Sequence, residues 1–164
     1  MTTIRGNAMA GMSDNYDFPA SLTREITRAF LGDLISHGVA RVVYECIINP
    51  EWVVKVETRA AGVPGGLQSA TEWLTWQEAK GKKKWAKWFA PCHFLSGSGG
   101  VLIQSRVDPI ARPPKKIPNF CGDISTSNWG LLDGKPVMCD YGISSLIYNG
   151  LEGSSKLMKI EKET

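Results

Sequence analysis

Apolar residues fall along the chain in short blocks separated by glycine, proline and charge, and the blocks predict strands more often than helices. Leu22, Ile26, Phe30 and Leu34 recur every four residues behind Ser21, a residue type that caps helix starts, and predict a helix there. The pattern then changes. Ile35-Ser36-His37-Gly38-Val39-Ala40 predicts a turn leading into a β-rich segment, Arg41 to Ile48. Trp52 to Glu57 predicts a second strand, and Asn49-Pro50 marks the turn of the resulting hairpin. Residues 58–68 carry Gly62, Pro64, Gly65 and Gly66 and predict a loop. A helix is expected over about 69–80, stopped by Gly81. Trp88 to Leu95 and Val101 to Val107 predict two strands around the flexible tip Ser96 to Gly100.

Pro109, Pro113, Pro114 and Pro118 make residues 108–119 an extended connector. Beyond it, Leu131-Leu132 and Val137-Met138-Cys139 flank Asp133-Gly134, a two-residue hairpin signal, and Pro136 places that hairpin at a sheet edge. The tail from Ile143 ends in a charged, helix-compatible stretch. The predicted class is α+β with an antiparallel sheet and few helices. Residues 1–20, without periodicity, are expected to form a loose arm, and residues 21–164 a single domain.

Composition changes this picture little. The chain has 164 residues, 43% apolar and 21% charged, the profile of an ordinary globular domain with a real core. The net charge of +3 suits a polyanionic small ligand without demanding nucleic acid. Cys46, Cys92, Cys121 and Cys139 form no Cys-x-x-Cys pair, and with His37 and His93 they make a poor zinc set. They are expected to be reduced thiols, which points to the cytoplasm. No apolar run reaches membrane-spanning length, and the N-terminus lacks a signal-peptide pattern, so no membrane association is expected.

Candidate chemistry sits late in the chain. Asp123 and Asn128 are five residues apart, and Asp140-Tyr141-Gly142 begins twelve residues further on. Phosphoryl transfer needs one carboxylate to orient the acceptor and oxygen ligands for the Mg²⁺ on the phosphates, and this series supplies both. With these spacings the chain resembles the protein-kinase-like fold over roughly residues 34–142. Gly38-Val39-Ala40-Arg41-Val42-Val43-Tyr44 resembles the nucleotide-covering loop and second strand. Val53-Val54-Lys55 resembles the lysine-bearing third strand, and Glu72 falls where the family keeps the glutamate that pairs with it, with Glu78 as runner-up. Leu102 to Val107 resembles the strand leading to the adenine hinge.

The resemblance implies an antiparallel-sheet N-lobe with one main helix, about residues 21–107, and a much reduced C-lobe, residues 108–164. It implies ATP and Mg²⁺ as cofactors. Asp123, Lys55 and Glu72 would be the catalytic residues. Gly38, Val43, Lys55, Gln104 (at the gatekeeper position), Ser105, Val107, Asn128 and Asp140 would hold the nucleotide, with Asn128 and Asp140 on the metal. Each has a plainer alternative: Lys55 as an exposed strand lysine, Ser69-Ala70-Thr71-Glu72 as a helix capping box, and Asp123, Asn128 and Asp140 as turn residues.

The departures from the family pattern matter. Gly38 stands without the full glycine series. Cys121-Gly122-Asp123 replaces His-Arg-Asp, and its Gly122 leans toward aminoglycoside-kinase-like members. Ser125 stands where protein kinases usually carry a lysine. Residues 143–164 contain no Ala-Pro-Glu motif and leave no room for a peptide-substrate platform. The chain therefore resembles a compact kinase core of the phage or mobile-element type, acting in the host cytoplasm if phage-encoded.

Two further classes compete with a phosphotransferase acting on a protein or small-molecule acceptor. One is a pseudokinase-like interaction protein without catalysis. The other, disfavoured, is a nucleic-acid-binding domain using the Lys82-Lys83-Lys84-Trp85-Ala86-Lys87 run, whose alternative is a solvated turn. Trp73, Trp76, Trp85, Trp88 and Trp129 are expected to pack in the core. An exposed sheet edge would allow a homodimer.

Overall fold

The computed structural model describes residues 25, 27–38, 40–58, 68–121 and 125–142, together with the backbone of 157–159. The expected arm over 1–20, Ser21, Leu22, Ile26, most of the 58–68 loop, Asp123 and most of the tail lie outside them.

The protein is α+β, with antiparallel sheets and few helices. A five-stranded sheet has the order β1-β2-β3-β5-β4, formed by Leu31–His37, Arg41–Cys46, Trp52–Glu57, Val101–Ser105 and Cys92–Leu95 respectively. β2 and β3 form the expected hairpin, with Val43 opposite Lys55 and Arg41 opposite Glu57. β3 lies centrally and pairs Lys55 with Leu102 and Val53 with Gln104 of β5. Direct cross-strand partners in an antiparallel sheet share a face. Arg41, Val43, Val53, Lys55, Glu57, Leu102 and Gln104 therefore point to the same side.

β1 corrects the expected helix. Residues 27–30 are helical, but Leu34 belongs to a strand. The four-residue spacing misleads because β1 is an edge strand with two register irregularities against β2, and its last five residues are exposed. No buried alternation was there to mark it.

Helix α1 (Gln68–Ala79) lies across the shared face. Its buried residues are Ser69, Glu72, Thr75 and Ala79, a mostly polar stripe at helical spacing. Leu74 is left exposed. The helix start is held from outside, by Glu57 Oε1 accepting the Ser69 N–H at 2.7 Å. The capping box, the plainer alternative for Glu72, is not formed, because Glu72 turns into the protein.

The basic run continues into a short helix, α2 (Lys83–Ala86), rather than a simple turn. The strand expected from Trp88 begins only at Cys92.

A three-stranded sheet, β6-β8-β9, packs beside the first. It comprises Asp108–Pro109, Trp129–Leu132 and Lys135–Met138. β8 and β9 form the hairpin around Asp133 and Gly134. Both adopt positive φ, +51° and +71°, which the tight two-residue connection requires and glycine adopts without strain. Pro136 lies on β9, at the edge of this sheet. The proline-rich connector is not wholly extended coil. Its ends pair at a distance, Asp108 with Leu131, and β7 (Lys116–Pro118) with β10 (Leu157–Lys159).

The two sheets share one apolar core of Ala79, Trp85, Phe89, Leu102, Ile117, Phe120, Trp129, Met138 and Tyr141 among others. Phe89 joins its halves, stacking on Phe120 at 5.6 Å and tilting against Tyr141 at 4.8 Å. Trp73, Trp76 and Trp88 pack against its margin. Among the described residues no helix is long and apolar enough to cross a membrane.

Candidate functional site

The seam between the two sheets opens into a pocket of about 560 Å³. Its sheet wall carries Gly38, Ala40, Arg41, Val43, Val53, Lys55 and Gln104, and the opposite wall carries Asn128, Trp129, Cys139 and Asp140. Ser105, Val107 and Asp108 close one end. Every nucleotide-binding residue expected from the sequence, from Gly38 to Asp140, therefore borders one cavity. Asp123 lies outside the described residues.

At the back of the pocket Glu72 is wholly buried and carries a converging set of donors. Lys55 Nζ donates to its Oε2 and Arg41 Nη2 to its Oε1, both at 2.8 Å. The Tyr141 N–H donates to Oε1 at 3.0 Å, and Gln104 Nε2 approaches Oε2 at 3.5 Å. A buried carboxylate is tolerated only when paired in this way. Lys55 also donates to the Cys139 carbonyl. The β3 lysine thus ties α1 to the loop that precedes Asp140, and Glu78 plays no part, being on the exposed side of α1.

The Asp140 loop is fixed from three sides. Cys139 N–H and Asp140 N–H both donate to the Asn128 carbonyl, at 2.8 and 3.3 Å. Tyr141 is buried, donating from its hydroxyl to the Ala90 carbonyl at 2.7 Å. Gly142 meets the start of α1 so closely that a Cβ would lie 2.8 Å from Gln68 Cβ. No side chain fits there.

Asp140 presents a half-exposed carboxylate to the pocket, and Arg41 Nη2 holds its Oδ1 at 2.6 Å. Partial burial would raise the Asp140 pKa, but the charges of Arg41 and Lys55 and the accompanying hydrogen bonds prevail and hold it below the ordinary value. Burial would lower the Arg41 pKa, but Glu72, Asp140 and Glu57 drive it up, so its charge is permanent. Burial pushes the Cys139 thiol up, which keeps this pocket cysteine protonated and a weak nucleophile. Cys92 and Cys121 are pushed up to about 12 for the same reason.

Asn128 and Asp140 together offer oxygen donors on one wall. That set suits a hard divalent cation that takes its remaining ligands from phosphate and water. It does not make a self-sufficient metal cage, and among the described residues no group of three His, Cys, Asp or Glu side chains converges. At the closed end, the Ser105 and Arg106 N–H groups donate to the Pro91 and Glu51 carbonyls, at 2.8 and 2.7 Å.

Arg41 is the site residue that sequence reasoning missed. No motif marks it, and only the pairing of β2 with β3 brings it over Glu72. The basic run supplies no stacking platform: Trp85 is buried and Trp88 half-buried, with Lys84 and Lys87 lying over their rings. A scan against protein-family models finds no match, and a search among curated proteins finds none.

Proposed function

We propose that the protein is a kinase-like phosphotransferase that binds ATP with Mg²⁺ in the seam pocket and passes the γ-phosphoryl group to a protein or small-molecule acceptor. The observation that carries this reading is Lys55, which borders the same cavity as Asn128 and Asp140 and is held from behind by the buried Glu72 at 2.8 Å. A strand lysine held by a helix glutamate, opposite a metal-binding Asn and Asp, is the arrangement that phosphoryl transfer uses.

In this reading Val43, Val53 and Ala40 give an apolar berth for the base, with Gln104 behind it and Val107 at its edge. Lys55, kept straight by Glu72, neutralises phosphate oxygens as a compact point charge. Asn128 and Asp140 hold the cation, and Asp123 orients the acceptor hydroxyl. Bound Mg²⁺ would supply charge neutralisation across the phosphates. The chain's own work is positioning and electrostatics, in a site walled off from water on the side of Glu72 and Gln104.

The pseudokinase-like reading has one observation in its favour: Arg41 already occupies one oxygen of Asp140, which the first reading gives to the metal. ADP release in the presence of ATP and Mg²⁺ separates the two readings. Catalysis predicts turnover that is lost in Asp123→Asn while ATP binding persists. Binding without turnover in the native chain would favour the interaction protein.

A further inference from the structure

Behind the pocket Arg41 and Lys55 are paired with two carboxylates, Glu72 and Asp140, and Glu57 adds a further negative charge near Arg41. The two carboxylates differ in freedom. Glu72 is wholly buried and accepts from Lys55, Arg41 and the Tyr141 backbone. Asp140 has a side chain 48% exposed and is held by one arm of Arg41. It is also the carboxylate that the nucleotide reading gives to the metal, so cation and guanidinium compete for it.

Arg41 has capacity to spare. Its Nη1 is buried and has no hydrogen-bond partner among the described residues, and the residue borders the pocket directly after the Gly38–Ala40 turn. That turn keeps Gly38 alone of a glycine series, so few backbone N–H groups can approach a phosphate there. A guanidinium at this spot is a planar fork of donors suited to phosphate oxygens.

We propose that Arg41 is a phosphate-contact residue held in reserve by Asp140. On nucleotide binding, Asp140 exchanges its guanidinium partner for the cation. The Nη2 hydrogen that Asp140 gives up donates to a phosphate oxygen, while the other Nη2 hydrogen stays on Glu72. Both carboxylates remain compensated throughout, so no buried charge is stranded. The inference rests on the nucleotide reading of the pocket and adds a residue and an order of events to it. A purely structural Arg41–Asp140 pair would instead stay closed whatever entered.

The test is calorimetric binding of inorganic tripolyphosphate, in EDTA and with Mg²⁺, to the full chain. Asp140→Ala removes the acceptor that holds Arg41 and is expected to tighten metal-free tripolyphosphate binding about tenfold, the size of one hydrogen bond to a charged group. The gain must vanish when Arg41→Gln is added, as coupling through Arg41 requires. If the Arg41→Gln chain does not fold, Arg41→Lys keeps a cation beside Glu72 but loses the fork, and the gain must shrink there as well.

A gain of equal size whatever stands at position 41 would mean simple relief of carboxylate repulsion, and would overturn the proposal. Native protein that binds neither ATP nor tripolyphosphate with Mg²⁺ would overturn the nucleotide reading and the exchange together. Native binding with a gain independent of Arg41 would overturn the exchange alone.

Discussion

Arg41 and Glu72, 31 positions apart in the chain, meet in the protein interior with Nη2 and Oε1 at 2.8 Å. The contact is where the sheet, the helix and the Asp140 loop are held together. Glu72 receives Arg41 from β2, Lys55 from β3 and the Tyr141 N–H from the loop. One carboxylate therefore organises both stability and the shape of the pocket.

Removing that carboxylate leaves the buried Lys55 without its ion-pair partner and Arg41 with Asp140 alone. Glu72→Ala is expected to destabilise the fold by about 3–5 kcal/mol, the range for breaking a buried ion pair from one side. Lys55→Met leaves Glu72 with Arg41 and should cost less. Urea unfolding of both variants checks the order; equal costs would contradict the hub role of Glu72.

Gly142→Ala tests the close approach of the loop to α1. Its Cβ would fall 2.8 Å from Gln68 Cβ and 3.2 Å from Gln68 Cα. The loop must shift, at about 1–3 kcal/mol for overpacking. The shift would also pull Asp140 from Arg41, so thermal stability and nucleotide affinity should fall together.

Acid should weaken the loop. The folded-state pKa of Asp140 lies below its ordinary 3.8, so the pair with Arg41 contributes stability above that value and loses it as pH falls through the lowered folded pKa. The exposed half of the carboxylate keeps the effect small. The stability gap between the native chain and Asp140→Asn should be constant at neutral pH and close in acid. A gap that widened in acid would contradict the sign.

The basic run should divide sharply by residue. Trp85 is 2% exposed and packs tilted against Phe120 with ring centroids 4.7 Å apart, so Trp85→Ala is expected to cost about 3–5 kcal/mol. Lys83→Ser, on the solvated side, should stay within about 0.5 kcal/mol. Denaturant midpoints of the two variants check this.

The parts legible in the sequence are those set by local chemistry. The valine-rich β2 and β3, the Asp133-Gly134 turn and the extent of α1 follow from pattern and turn residues. Lys55, Glu72, Gln104, Asn128 and Asp140 could be named through the family resemblance, and the structure brings all but Glu72 to the wall of one pocket, with Glu72 buried behind Lys55. What escaped depends on distant pairing. β1 is exposed over most of its length, so its apolar residues mimic a helical period. The connector's short strands exist only because β8 and β10 meet them. Arg41 carries no local signal, since its importance comes from the chance of topology that sets it between Glu72 and Asp140. The polar buried stripe of α1 likewise has meaning only once Lys55 lies beneath it.

The most direct measurement is calorimetric titration of ATP, with and without Mg²⁺, into the native chain and Asp140→Ala. The account predicts Mg²⁺-dependent binding to the native chain that the substitution abolishes. Absence of binding at millimolar ATP, or binding indifferent to both Mg²⁺ and Asp140, would contradict it.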